Sequence, residues 1–442
     1  MVCSLISLIP RFGRRLTKIV RPILLATFRM NLYSGTPRSA TRMHEIVCVG
    51  DVHEGIAFGF RVDPETGISE RALDLHRNFA RAAQWAIDHA SKLFIVLGDL
   101  FDRPNVAPAF RELVRRDVIE PLGEAGIEVW LLAGNHDQPR ADARSTSLED
   151  YRGYPHVRVF RNPEALVKDI AGHRVGFLML PYLHPEQVLE IAKGKRTEGV
   201  EFATIEDAYV VSRSLWQGWI AQHAGEMEGA DFRLVLGHYY VEGAKVSSTT
   251  YLEHIPGEFS FTRDMIPPSV DLAVMGHIHL HQRIWGNVVY TGAPERIDWG
   301  ERGDAKGFLA LSPETKGWEF VELPARAMER VEVTVREEDD PTAVILGRLP
   351  KDVQDAMVRL DITIPETLRP RVDERKIAER LQDAFHYEVR WIPAERETVA
   401  PSEYTLDPLR LLGDFVDVTF GKDPRRDAIR AEGEKILREV LG

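Results

Sequence analysis

Cysteine is almost absent from this sequence, in which Cys3 and Cys48 are the two examples among 442 residues. Two cysteines, one of them inside a predicted buried strand, provide neither a disulfide framework nor the repeated spacing of a zinc site. Small disulfide-stabilised folds and zinc-ribbon folds are therefore excluded. We expect the chain to work in a reducing, intracellular compartment, the cytoplasm.

Long apolar runs are missing as well, because no stretch approaches the roughly 20 uninterrupted apolar residues that span a bilayer. We therefore expect no stable membrane insertion. With 44% hydrophobic and 28% charged residues, the composition is that of a globular protein. A chain of 442 residues exceeds the usual limit of about 250–300 residues for a single core, which predicts two or three domains.

Residues 1–43 contain no Asp or Glu and carry eight Lys or Arg. Their mixture of apolar and basic residues suits a basic amphipathic helix or a targeting peptide, although Pro10 and Pro22 interrupt the pattern. Because Met43 directly precedes the first predicted strand, a disordered or untranslated extension explains the segment equally well. We expect a basic N-terminal extension that takes no part in catalysis.

The net charge of −12 would oppose binding to nucleic acid, whose phosphates favour Lys and Arg. Net charge does not decide the matter, because two divalent cations would supply about +4 at a site. Local basic residues such as Arg111, Arg115 and Arg116 also act within a Debye length of roughly 10 Å. DNA therefore stays among the expected partners.

From His44 onward, apolar runs alternate with amphipathic stretches in the order β-α-β-α-β. These elements are predicted at 46–49, 72–90, 93–97, 109–120 and 129–132. The apolar runs are continuous, which predicts strands covered on both faces. A β-rich half follows, with strands at 157–160, 174–180, 234–236, 272–275, 283–290 and 308–311 and a helix at 205–224. The pattern predicts an α/β fold built as an αββα two-sheet sandwich.

The composition changes beyond Pro324, where strands are predicted at 331–335, 358–364 and 387–391 and a helix at 374–384. This pattern predicts a smaller α+β domain. Two helical stretches, 407–416 and 423–441, predict a C-terminal helical tail. The expected domains are therefore 1–43, 44–325, 326–400 and 401–442.

Five short segments follow apolar runs with carboxylate, amide or imidazole side chains. They are Gly50-Asp51-Val52-His53, Gly98-Asp99-Leu100-Phe101-Asp102, Gly134-Asn135-His136-Asp137, Gly237-His238 and Gly276-His277-Ile278-His279. Ligands of such sheets gather at the carboxyl ends of strands, where glycine permits unusual backbone angles. Singly, a strand-end Asp is more often a helix cap, and a lone His more often a hydrogen-bonded residue. The five segments together look like a two-metal phosphoesterase site.

In this order the segments resemble those of the calcineurin-like metallophosphoesterase superfamily, over roughly residues 44–325. The resemblance implies two divalent cations, and mixed oxygen and imidazole ligands suit Mn²⁺, Fe or Zn²⁺ better than Ca²⁺ or Mg²⁺. Mn²⁺ is the expected metal. The implied ligands are Asp51, His53, Asp99 and His279 for one ion, and Asp99, Asn135, His238 and His277 for the other.

Three further residues receive roles from the same resemblance. His136 would contact the scissile phosphate and protonate the leaving oxygen, a task that suits an imidazole near neutral pH. Asp102 would orient His136 through its side chain. Asp137 is either a supporting partner of the site or a turn residue.

The run Tyr-Thr-Gly-Ala-Pro-Glu-Arg-Ile-Asp-Trp-Gly-Glu from Tyr290 to Glu301, followed by Lys306-Gly307-Phe308, resembles a signature of the SbcD-type DNA repair nucleases. These are the bacterial counterparts of the nuclease in the MRN break-repair complex. The resemblance implies an exonuclease or endonuclease acting on double-strand ends, hairpins and single strands. It also implies a homodimer, a DNA-capping second domain, and docking of the helical tail onto an SbcC-type SMC-like ATPase at the nucleoid.

Other functions stay open at this point. The chain has no Gly-x-x-x-x-Gly-Lys-(Ser/Thr) run, so ATP hydrolysis would have to come from the partner. A metallophosphoesterase acting on cyclic nucleotides or other phosphate esters is one alternative. A non-catalytic DNA-binding scaffold is another, although the complete set of predicted ligands argues against it.

Overall fold

The computed structural model describes residues 44–59, 61–139, 146–184, 187, 205–246, 259–394, 408–420 and 424–441. The predicted N-terminal extension, residues 1–43, lies outside the described residues, as does the start of the predicted tail at 401–407. The chain divides into two compact units, Met1–Ala327 and Met328–Gly442. No helix of the described ranges combines the length and the apolar character needed to cross a membrane.

The first unit is built from strands that alternate with helices in its first part and dominate its second. Its strands are β1 (Ile46–Val49), β2 (Leu93–Leu97), β3 (Glu128–Leu132), β4 (Val157–Phe160), β5 (Glu164–Ile170), β6 (His173–Leu180), β7 (Phe232–His238), β8 (Tyr240–Val241), β9 (Ser260–Phe261), β10 (Leu272–Gly276), β11 (Gln282–Arg283), β12 (Val288–Tyr290), β13 (Gly307–Ser312) and β14 (Gly317–Glu322). Its helices are α1 (Glu70–Asp88), α2 (Pro108–Val114), α3 (Glu120–Glu124) and α4 (Ile205–Ala224), and a π-helical turn at Arg115–Ile119 joins α2 to α3.

Two six-stranded sheets form the centre of this unit. The first sheet has the order β14-β13-β1-β2-β3-β4, and the second has the order β11-β12-β10-β7-β6-β5. Strands β1 to β4 are parallel, as are β6, β7, β10 and β12. The carboxyl ends of the central strands therefore lie at one edge of each sheet, and the predicted two-sheet α/β architecture is confirmed.

Side chains alternate between two cores because successive residues of a strand point to opposite faces. In β1, Ile46 and Cys48 pack between the two sheets, against residues such as Phe177 and Leu234. Val47 and Val49 face the other side and pack with residues of α1. On the outer face of the second sheet, Trp216 and Ile220 of α4 pack with residues of β6, β7 and β10. The order of layers is therefore helix, sheet, sheet, helix.

One predicted strand of the first unit is wrong. The apolar run at 283–290 is not one strand but a hairpin, in which β11 and β12 pair antiparallel. The turn between them contains Gly286, and Ile284 N donates to Val288 O at 2.9 Å. The apolar residues on both sides of the turn hid the reversal, because the sequence reads as one β-rich run.

The second unit contains a three-stranded parallel sheet and its own core. Its strands are β15 (Met328–Thr334), β16 (Met357–Ile364) and β17 (His386–Pro393), and its helices are α5 (Pro341–Arg348), α6 (Glu374–Arg380), α7 (Pro408–Phe420) and α8 (Arg426–Leu441). Helix α5 was not predicted. It begins where Asp340 caps the Ala343 amide at 3.1 Å and Pro341 occupies the first turn, both typical signals of a helix start.

Candidate metal centre

The five predicted segments meet at the carboxyl edges of the two sheets. Three of them follow β1, β2 and β3 of the first sheet, and the other two end β7 and follow β10 of the second. Strand β7 lies beside β10 in register, with His238 opposite Gly276. The side chains therefore approach one another from both sheets, although more than two hundred residues separate the first segment from the last.

Backbone strain is concentrated in the same place. Asp51, His53 and Asp99 have φ angles of 55°, 53° and 50°, and His277 has a φ of 90°. Residues other than glycine rarely adopt this left-handed backbone conformation. Each one destabilises the folded state by roughly 1–3 kcal/mol. Such strain is typical of functional sites, where surrounding structure holds a side chain in a required direction.

Two glycines permit the close packing of this edge. A Cβ at Gly98 would lie 2.1 Å from His238 Nδ1, and the φ of Gly98 is +87°. A Cβ at Gly134 would lie 2.1 Å from Asp99 Oδ1. Glycine is therefore required at both positions because any side chain would displace a predicted ligand.

Two imidazoles and a carboxylate form the first potential metal-binding group. His53 Nε2 and His279 Nε2 are 3.2 Å apart. The ligand atoms of His53, His279 and Asp51 all lie within 4.8 Å of one another. The other ring nitrogen of His53, Nδ1, is buried and has no hydrogen-bond partner among the residues that the structure describes. Nitrogen and oxygen donors directed at one point in this way suit a divalent transition metal.

The second group lies beside the first and shares Asp51 with it. The ligand atoms of Asp51, Asp99 and His238 lie within 4.8 Å of one another. Asn135 Oδ1 is 3.0 Å from both His238 Nε2 and His277 Nδ1. The four remaining predicted ligands are thus linked by pairwise contacts of 3.0–3.1 Å.

Asp99 belongs to the second group and also approaches a histidine of the first. Its Oδ2 is 3.1 Å from His238 Nε2 and 3.9 Å from His53 Nε2. The side chain is buried, with 3% of its surface exposed. This position fits the predicted bridging carboxylate, which would contact both ions of a two-metal clamp.

The hydrogen bonds of two histidines leave their Nε2 atoms directed at the centre. His238 Nδ1 donates to the main-chain oxygen of Leu97 at 2.7 Å. His279 Nδ1 lies 2.7 Å from Glu301 Oε1. Such bonds fix the ring orientation of metal-binding histidines.

The buried acids and histidines of the centre shift one another's pKa values. Burial would lower the pKa of His238, but Asp99 raises it to about 9. Burial would also lower the pKa of His279, but the neighbouring Glu301 carboxylate raises it to about 9. For Asp99, burial raises the pKa and His238 lowers it, and the result lies well below the ordinary value. The buried carboxylates therefore need positive charge nearby, which protons or divalent cations can supply.

His136 is half-buried and lies beside the first group, with its ring centroid 4.8 Å from that of His53. His136 Nδ1 donates to the main-chain oxygen of Asp102 at 2.8 Å. The main-chain oxygen of Asp102 thus contacts His136, and the predicted orienting role of the Asp102 side chain stays a prediction; its carboxylate lies near the rings of both His53 and His136. The Asp102 carboxylate lies 3.7 Å from His53 Nδ1.

Asp137 binds the loop that carries Asp99. Its carboxylate accepts hydrogen bonds from the amides of Gly134 at 3.0 Å, Phe101 at 3.0 Å and Leu100 at 3.3 Å. Burial and the charge of Asp99 raise its pKa to about 7. Asp137 therefore joins two segments of the site and is more than a turn residue.

Residues of the Tyr290–Glu301 run mostly bind neighbouring backbone and buried side chains. The Tyr290 hydroxyl donates to Tyr239 O at 2.9 Å, and Glu295 accepts from Arg71 at 3.1 Å. Glu301 differs, because it contacts the predicted ligand His279. Sequence reasoning assigned no separate role to Glu301 or Lys306, and their membership of the signature was the signal available.

Residues 44–281 match the model of the calcineurin-like phosphoesterase family. The chain belongs to this family. The matched residues include all seven predicted ligands, His136 and Asp102, and they end before the Tyr290–Glu301 run. The expected superfamily is therefore confirmed, and family membership makes a phosphoesterase-type hydrolase with divalent metals the coarse functional class.

Several curated relatives are similar to the chain. Exonuclease subunit 1 of Enterobacteria phage T4 is 24% identical over 63% of this chain and 67% of its own length. The DNA double-strand break repair protein Mre11 of Thermoplasma acidophilum is 22% identical over 52% of each chain. The SbcCD nuclease subunit of Bacillus subtilis is 22% identical over 50% of this chain and 55% of its own. The chain thus spans about half the length of the latter two relatives.

Proposed function

We propose that this chain is a two-metal-dependent DNA nuclease that processes double-strand breaks and hairpin ends. The observation that carries the proposal is that Asp99 Oδ2 approaches a histidine of each group, His238 at 3.1 Å and His53 at 3.9 Å. The similarity to relatives named as nucleases or as a break-repair protein supports DNA as the substrate. The Tyr290–Glu301 run supports the same assignment, since it resembles the SbcD-type signature.

Seven side chains would hold the metals. One ion would bind Asp51, His53, Asp99 and His279, and the other Asp99, Asn135, His238 and His277. When bound, two such cations neutralise the charge that develops on a phosphate during hydrolysis and activate water. The mixed donors favour Mn²⁺ over Ca²⁺ or Mg²⁺.

His136 would be the general acid. Because its Nδ1 donates to Asp102 O at 2.8 Å, its Nε2 is the ring nitrogen that would face a substrate. A proton held at Nε2 would pass to the leaving sugar oxygen, and such a transfer contributes typically 10²–10⁴-fold to a rate. The fixed main-chain acceptor keeps the ring in one orientation during this step.

The remaining parts of the proposal concern partners. The second unit would cap the DNA, and its helices α7 and α8 would dock onto an SbcC-type SMC-like ATPase. The nuclease domain, residues 44–325, would form a homodimer. The supporting observation is the similarity to a relative that is named as a subunit of the nuclease SbcCD.

An assay on purified full-length chain tests the substrate class. Linear duplex DNA and hairpin DNA are compared with cyclic nucleotides and phosphopeptides, each with Mn²⁺ and with EDTA. We expect Mn²⁺-dependent cleavage of both DNA substrates, and loss of cleavage in Asp99→Asn. Hydrolysis confined to cyclic nucleotides or phosphopeptides would favour a different phosphoesterase, and bound DNA without any cleavage would favour the scaffold.

A further inference from the structure

Glu301 is a buried acid at the back of the metal centre. Its side chain has no exposed surface, and it sits at the end of a short 3₁₀ helix, Trp299–Glu301. Its Oε1 atom lies 2.7 Å from His279 Nδ1. The acid therefore touches a predicted metal ligand on the side of the ring that faces away from the centre.

Lys306 contacts both of these residues, and its Nζ atom also lies 3.5 Å from Asp304 Oδ2. Its Nζ atom donates to Glu301 Oε2 at 2.8 Å and to the main-chain oxygen of His279 at 3.0 Å. The Lys306 side chain has no exposed surface either. Lys306 thus binds both the Glu301 carboxylate and the backbone of His279.

The chain around Glu301 fixes the acid in this position. Glu301 Oε2 also accepts the amide of Ile297 at 2.9 Å. The 3₁₀ helix begins with a cap, since Asp298 Oδ1 accepts from Gly300 N at 2.5 Å. The two carboxylate oxygens are therefore divided: Oε2 is used by Lys306 and Ile297, and Oε1 is left for the imidazole.

This division has a direct chemical consequence for His279. A carboxylate accepts hydrogen bonds, so the proton of the neutral ring is held at Nδ1 and the lone pair at Nε2. That lone pair is directed toward His53 Nε2 at 3.2 Å. A carboxylate on the far nitrogen of a metal-binding histidine fixes the tautomer and raises the basicity of the ligand.

We propose that Glu301 and Lys306 are positioning residues that set the affinity of the metal position formed by Asp51, His53, Asp99 and His279. The inference rests on the proposed metal centre and not on the DNA substrate. Glu301 acts through His279 and touches no reacting atom. The contact also gives the last residue of the Tyr290–Glu301 run a role in metal binding.

A purely structural ion pair would behave differently. Its loss would lower the unfolding temperature of the metal-free protein and leave metal affinity unchanged. A positioning acid affects one metal position selectively, and loss of such partners typically costs about 10–100-fold in metal affinity. Metal titration and metal-free unfolding therefore separate the two roles.

The test uses full-length E301Q and K306M with E128Q as the matched control. Glu128 also pairs with a lysine, Lys168, at 2.7 Å, but it lies at the other end of β3 from the centre. Mn²⁺ binding is measured by calorimetry, and Co²⁺ is used to record the visible absorption of the site. Unfolding of each metal-free variant is followed by circular dichroism.

We expect wild type and E128Q to bind two Mn²⁺ per chain. E301Q should weaken one of the two about 10–100-fold, leave the other unchanged, and alter the Co²⁺ spectrum. K306M should weaken the same position, and it keeps the proposal testable if E301Q does not fold. Two Mn²⁺ bound by folded variants with wild-type affinity would overturn this inference alone, whereas a wild type that binds none would overturn the metal centre as well.

Discussion

Gly134 and Asp99 are so close that a side chain at position 134 cannot coexist with the Asp99 carboxylate. A Cβ at Gly134 would lie 2.1 Å from Asp99 Oδ1 and 2.4 Å from its main-chain nitrogen. The backbone atom cannot move aside cheaply, because Asp99 already has a φ of 50°. The absence of a side chain at Gly134 therefore leaves room for the carboxylate that approaches histidines of both donor groups.

Gly134→Ala should displace Asp99 and weaken both metal positions. We also expect it to destabilise the fold by about 1–3 kcal/mol, the usual cost of overpacking. Gly153→Ala is the control, because a Cβ there meets no atom of the described residues within 4 Å, and it should stay within about 0.5 kcal/mol of wild type. Mn²⁺ titration and thermal unfolding measure the two effects. Normal binding of two ions by Gly134→Ala would contradict the assigned position of Asp99.

His136→Ala separates catalysis from binding. If His136 is the general acid, the variant should bind Mn²⁺ and DNA as wild type does and lose about 10²–10⁴-fold in kcat. The measurement combines a cleavage time course with metal and DNA titrations. His89→Ala, at the exposed end of α1, is the control. If His136→Ala cleaved DNA at the wild-type rate, His136 would not be the general acid. If the variant lost a bound metal, His136 would be a metal ligand instead.

The central strands of the first sheet could be predicted from the sequence because they are buried on both faces, whereas its partly exposed edge strand β14 was missed. Strands β1 and β2 have the predicted bounds, since a strand covered on both faces must be a continuous apolar run. Strand β5 was missed. Several of its residues, such as Lys168, are partly exposed, so its sequence contains polar residues that interrupt any apolar run.

The convergence of the candidate side chains could be predicted from the sequence, but their contacts with the backbone could not. The predicted ligands converge because they follow parallel strands, which the sequence pattern indicates. The contact of His136 with Asp102 O could not be predicted, since every residue has a main-chain oxygen. The contact of Glu301 with His279 depends on how the chain after β12 returns to the centre.

The contacts of His76 with two carboxylates predict that the stability of the fold depends on pH, independently of metal binding. Its Nδ1 lies 2.8 Å from Glu54 Oε1 and its Nε2 lies 2.9 Å from Asp117 Oδ2. Burial lowers the pKa of His76, but Asp117 and Glu54 raise it from 6.5 to about 9. Because the folded value is the higher one, the stabilisation is complete below pH 6.5 and is lost as the pH rises through about 9.

Between pH 6.5 and about 9, the free energy of unfolding should fall by at most roughly 3 kcal/mol through His76. Unfolding by urea is compared at both ends of the range for wild type and His76→Gln, in EDTA so that no metal contributes. The other groups that titrate are common to both proteins. The decline should therefore be smaller in His76→Gln, and an equal decline would show that the two carboxylates do not hold the proton on His76.

Arg71 of helix α1 binds residues of the Tyr290–Glu301 run and should stabilise it. The guanidinium is buried, with 1% of the side chain exposed. It contacts Glu295 at 3.1 Å and Asp74 at 3.2 Å, and it also donates to the main-chain oxygen of Arg296. Arg71→Ala would leave Glu295 buried without this cation, and breaking a buried pair in this way costs about 3–5 kcal/mol.

The matched control is Arg77→Ala, because Arg77 contacts the same acid, Asp74, at 3.1 Å but has half of its side chain exposed. An exposed pair of this kind contributes about 0–1 kcal/mol, so the control should unfold almost as wild type does. Thermal unfolding of the metal-free proteins measures the difference. If Arg71→Ala and Arg77→Ala have the same midpoint, the buried contacts of Arg71 do not stabilise the run. A large difference would mean that Arg71 anchors Glu295 to α1, and with it the run that ends at Glu301.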